Sequence, residues 1–110
     1  MPLISMHDLA LGGEGKPRTI VALLTTFNRW SVTADCLRSV QELELPEDVD
    51  LALVLFDDDS PDGTAERARS LIPHATVIAG EGNAFWSRGM ALAQQHALES
   101  VEPDFLLWLN

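Results

Sequence analysis

Leu51-Ala52-Leu53-Val54-Leu55-Phe56-Asp57-Asp58-Asp59-Ser60-Pro61-Asp62-Gly63-Thr64 is the stretch on which the fold turns. Six apolar residues run unbroken into three carboxylates and a Pro-Asp-Gly turn. Such a run is the pattern of a strand covered on both faces, which points to a parallel sheet between helices. Ligands of these sheets lie beyond the carboxyl ends of the strands, so Asp57, Asp58 and Asp59 are expected to face whatever is held.

Upstream, Thr19 to Leu24 is rich in β-branched and aliphatic residues and reads as a first strand, leading into Thr25-Thr26-Phe27-Asn28-Arg29. Ser31 then suits the N-cap of a helix whose inward positions are expected at Val32, Cys36, Val40 and Leu43. Pro46-Glu47-Asp48 separates that helix from the strand quoted above. Downstream, Asp62-Gly63-Thr64 starts a second helix with Ala65, Ala68 and Ile72 inward, and Pro73 stops it. Ala75 to Ala79 reads as a short third strand, and Gly80-Glu81-Gly82-Asn83 as a turn able to present N–H groups. A third helix carries Trp86, Met90, Ala93, Ala97 and Val101 on one face, and Phe105 to Asn110 reads as a further buried strand.

Strands alternating with helices predict right-handed crossovers and an α/β, three-layer, mainly parallel sheet. Residues 1–18 read as a flexible lead-in and 19–110 as one folded unit that looks truncated at its last strand. Gly12-Gly13-Glu14-Gly15-Lys16 mimics a phosphate loop, but Pro17 replaces the required hydroxyl and the glycines precede the first strand.

The net charge of −10 excludes binding of nucleic acid or anionic membrane through a basic surface. It is compatible with phosphates bridged by a divalent cation. One cysteine, Cys36, excludes a disulfide framework and reads as a small core residue. His7, His74 and His96 lack metal spacing and are expected to face solvent. No apolar run approaches the ~18 residues of a membrane span, and the N-terminus lacks a signal-peptide pattern, so a cytoplasmic location is expected.

Three stretches in this order resemble the N-terminal half of a family 2 glycosyltransferase with the GT-A fold: Thr25-Thr26-Phe27-Asn28-Arg29, Asp57 to Thr64, and Gly82-Asn83-Ala84-Phe85-Trp86-Ser87-Arg88-Gly89-Met90. Leu107-Trp108-Leu109-Asn110 is similar to the strand that, in rhamnosyltransferase-like members, leads into the acidic metal motif. The resemblance implies a Rossmann-like nucleotide-binding half and inverting transfer of a sugar from a UDP- or dTDP-linked donor. The acceptor implied is a hydroxyl of a glycan or lipid-linked sugar. It implies nucleotide contacts from Thr25, Thr26, Asn28, Arg29, Asp57 and Asp58, with Asp58 accepting from the base. It further implies donor sugar or phosphate contacts from Asp59, Gly82, Asn83 and Arg88. A divalent cation, Mg²⁺ or Mn²⁺, is implied for the whole enzyme, its ligands expected just after Asn110 and none assigned within the chain. Two positions depart from the family pattern: Thr stands where Pro is common at 25 or 26, and Asp59 stands where Gly is common.

The catalytic base is not legible in these residues. An alternative reading is a non-catalytic nucleotide-binding or interaction module, and an unfinished sheet predicts possible self-association through its exposed edge.

Overall fold

The first strand, β1 (Arg18–Thr26), sits between two parallel neighbours in a computed structural model that describes residues 17–109. The chain continues through α1 (Trp30–Gln41), β2 (Val49–Asp57), α2 (Thr64–Leu71), β3 (Thr76–Ala79), α3 (Phe85–Ser100) and β4 (Phe105–Trp108). All three strand pairings are parallel, in the order β3-β2-β1-β4. The expected α/β layering is therefore observed. The lead-in and its glycine run, His7 and Asn110 lie outside the described residues.

Side chains alternate across β1 and β2, and each face takes a different set of helices. Val21 and Leu23 of β1 join Val54 and Phe56 of β2 against Met90, Ala93 and Ala97 of α3. Ala22, Leu24, Leu53 and Leu55 point the other way, against Leu37 of α1 and Ala68 of α2. The strand order reverses at β1, which is where open α/β sheets leave a crevice at their carboxyl ends.

Three local expectations are corrected. The buried face of α1 is Thr33, Ala34 and Leu37, whereas Val32 is 63% exposed and Leu43 is also exposed. The helix starts two residues earlier than Ser31 as a cap would allow, with Arg29 at the cap position, and Cys36 is left half-buried. β4 pairs only with β1 among the described residues, so it is an edge strand with partial burial, and Trp108 is exposed. Its apolar run thus resembles that of β2 without sharing its double cover.

Close approach of α3 to the sheet depends on Gly89. A Cβ there would overlap Thr25 Oγ1 and lie 3.1 Å from Phe56 Cδ1. Gly89→Ala gains about 0.5–1 kcal/mol of helix propensity, but forcing a methyl into this contact costs about 1–3 kcal/mol. We therefore expect Gly89→Ala to destabilise by about 1–2 kcal/mol in urea unfolding, and Thr25→Ala in the same chain to recover part of that loss.

Candidate functional site

The loops after β1 and β2 are tied to each other before they can meet any ligand. Asp57, buried at the end of β2, accepts from the Ser60 hydroxyl, and Ser60 Oγ in turn accepts from the Asn28 N–H at 2.7 Å. Asp62 accepts from the Trp30 N–H at 3.0 Å and from the Thr64 N–H at 3.1 Å, joining the start of α1 to the start of α2. Thr26 is buried, and its hydroxyl pairs with that of Thr33 at 2.7 Å. Asp57, Thr26 and the Asn28 backbone therefore serve the architecture of the rim. The Asn28–Ser60 and Trp30–Asp62 bonds each span 32 residues and have no local signature.

The hydroxyl and N–H groups of Thr64 hold the Asp62 carboxyl below its ordinary range, the hydroxyl acting most strongly. A lowered folded-state pKa contributes stability above the unfolded value of about 3.9 that disappears as pH falls through the folded one. Asp62→Asn should therefore flatten the acid limb of a thermal-stability profile as pH falls below the unfolded carboxylate value.

Asp58 has a different task. It is 4% exposed, and its two oxygens accept from the N–H groups of Gly82 (2.9 Å), Ala84 (3.1 Å) and Phe85 (3.0 Å). The residue before α3, Ala84, has no capping side chain, so this carboxylate from β2 supplies the cap from 26 residues away. Negative charge at a helix N-terminus is also favoured by the helix dipole. The role expected for Asp58 was contact with a base; the structure adds this anchoring of the β3–α3 turn, which the sequence did not disclose.

Three residues around the site, Asn28 (φ +49°), Asp59 and Phe85, are held in left-handed conformations. Asp59 has φ +62°, the region glycine enters at no steric cost, which accounts for glycine being common at this position in the family it resembles. Its side chain is exposed. Phe85 has φ +57°, a genuine outlier for a bulky residue, costing about 1–3 kcal/mol.

A cavity of about 420 Å³ opens at this end of the sheet. Leu24, Thr25, Thr26, Phe27 and Arg29 line it from β1 and its loop, Val32, Thr33 and Cys36 from α1, and Asp58, Gly82, Phe85 and Trp86 from the opposite side. Thr25, Arg29 and Asp58 thus share one rim. Burial pushes the Cys36 thiol up, which suits a wall residue and not a nucleophile. Asn83 and Arg88 are not on this rim. They line a second cavity of about 490 Å³, between β3 and α3, with Glu81, Gln95, His96 and Glu99. Arg88, in the first turn of α3, is exposed. His96, expected in solvent, is half-buried there.

No group of three or more His, Cys, Asp or Glu side chains converges to hold a metal ion among the described residues. Asp57-x-Asp59 is no exception, since Asp57 is buried on Ser60 while Asp59 faces solvent. No described helix is long and apolar enough to cross a membrane.

The model of the family described as glycosyl transferase family 2 matches residues 22–110, which takes in all three motifs and the whole cavity rim. The chain belongs to this family. Among solved structures, the family 2 domain is similar to the mannosyltransferase PcManGT from Pyrobaculum calidifontis, determined in complex with GDP-Man and Mn²⁺, at 25% identity and a TM-score of 0.64. The match covers 74% of this chain and 25% of the mannosyltransferase, so the chain spans about a quarter of that protein's length. A search of curated proteins finds no match. The likeness and the all-parallel sheet give the domain a GT-A-like fold.

Proposed function

We propose that the domain binds the nucleotide part of a nucleoside-diphosphate sugar in the cavity between β1, α1 and the β3–α3 turn. The sugar is then passed, with inversion, to a hydroxyl of a glycan or lipid-linked acceptor. The observation that carries the proposal is the convergence of Thr25, Arg29 and Asp58 on a single cavity at the carboxyl ends of β1 and β2. Its volume falls within the range of about 300–1,000 Å³ usual for small-molecule sites.

Each group has a chemical part. The Arg29 guanidinium is the cation on the rim and suits the diphosphate, with five donors in a fixed fork. The Thr25 hydroxyl can donate or accept at the cavity floor, pinned beside Gly89. A carboxylate has about four acceptor positions, and three N–H groups leave Asp58 room for one further donor. The imide N–H of uracil or thymine is such a donor, which makes UDP or dTDP the nucleotide of this proposal. A divalent cation belongs to the same proposal and would neutralise the leaving diphosphate. The described residues offer it no ligand set, so no step of this domain is routed through it.

Isothermal titration of the 110-residue chain with UDP, dTDP and GDP, each with Mn²⁺, tests this reading. Saturable binding is expected, tightest for a pyrimidine nucleotide, with Arg29→Ala weakening it about tenfold. Heat signals that never saturate with any of the three nucleotides would reject the cavity as a donor site. Preference for GDP would reject only the assignment of the base.

A further inference from the structure

The conformation of Phe85 is unexplained by folding alone. Its backbone is in the left-handed region, where a large side chain is strained, yet its ring is 77% exposed and joins neither hydrophobic core cluster. Strain of this kind persists only where the surroundings over-determine it, and it collects at ligand-holding positions. The surroundings here are the Asp58 carboxylate, which fixes the N–H groups of the two successive residues Ala84 and Phe85. What the arrangement achieves is to put an exposed aromatic residue into the lining of the cavity that Phe27 and Arg29 also line.

We propose that Phe85 is a specificity-determining residue, its ring covering the flat face of the nucleobase held in this cavity, with Asp58 as the positioning residue that holds it there. The inference rests on the donor-site reading given above. An exposed aromatic edge opposite an apolar wall makes a slot, and a planar heterocycle is the part of a nucleotide sugar that fills one. The diphosphate presents no such plane. Recognition by stacking is tolerant of which base enters, so Phe85 would set the requirement for a base, while the polar groups discriminate between bases.

The test compares UDP with inorganic pyrophosphate on the 110-residue chain, both with Mn²⁺. Phe85→Ala should weaken UDP about tenfold, Phe85→Trp should restore it, and both should bind pyrophosphate as the parent does. A second readout needs no ligand: Phe85→Gly relieves the left-handed backbone and should melt at or above the parent temperature, whereas Phe85→Ala keeps the strain and should melt below Phe85→Gly. Parent-like UDP affinity in Phe85→Ala overturns the role of Phe85 and leaves the donor site standing, as does an equal loss for UDP and pyrophosphate. A parent chain that binds no UDP overturns both.

Discussion

Asp58→Ala is expected to lose about 3 kcal/mol of folding stability, read from the urea midpoint. The substitution strips the acceptor from three N–H groups at the start of α3, at a residue that is almost wholly buried. Each donor left without a partner costs about 1–3 kcal/mol, but Gly82 and Phe85 lie in an exposed turn where water can replace part of the loss. A small domain is typically stable by about 5–15 kcal/mol, so the variant should still fold near room temperature with a clearly lowered midpoint. Asp58→Asn should fall between, losing about 1–2 kcal/mol. Its amide keeps one acceptor oxygen but turns an NH₂ group towards N–H donors. If alanine and asparagine prove equally harmless, the carboxylate is not what holds the turn.

Gly80→Ala is expected to be comparably damaging, at about 2–3 kcal/mol. A Cβ at this position would lie 2.5 Å from Phe56 Cζ and 2.9 Å from Asp58 Oδ1. Neither neighbour can retreat freely: the Phe56 ring is packed among Val54, Met90 and Ala93, and Asp58 is held by its hydrogen bonds. The Gly80 N–H also donates to the Asp57 carbonyl at 2.7 Å, which keeps the backbone close to β2. Truncating the ring, as in Phe56→Leu, should be less costly in the Gly80→Ala background than alone, and a double-mutant cycle measures that coupling. Additive losses would mean that the methyl and the ring do not collide.

How far the sequence could be read follows from where its signals are local. Alternation of apolar runs with helical spacing marked all seven elements, because burial on a sheet or helix face imposes a period that neighbouring residues carry themselves. The inward face of α1 escaped because Thr33 is buried by its bond to Thr26, a polar residue at a core position that hydrophobic pattern cannot see. The edge position of β4 escaped because an apolar run does not record what lies beside it. At the site, the motifs correctly gathered Thr25, Arg29 and Asp58 around one opening, since each sits just past a strand. Asn83 and Arg88 follow Gly82 in sequence, yet as the chain turns into α3 they line the second cavity and not the first. The anchoring by Asp58 and the bond from Asn28 to Ser60 are long-range. Only coordinates reveal those.

The placement of β1 between β2 and β4 has a consequence for synthesis on the ribosome. One flank of β1 can pair as soon as β2 emerges, but the other waits for Phe105 to reach Ile20. At about 5–20 residues per second that delay lasts roughly 2–10 s. Throughout it the nascent sheet shows an unpaired apolar border, so slowed translation across α3 should raise the share of chains captured by holdase chaperones.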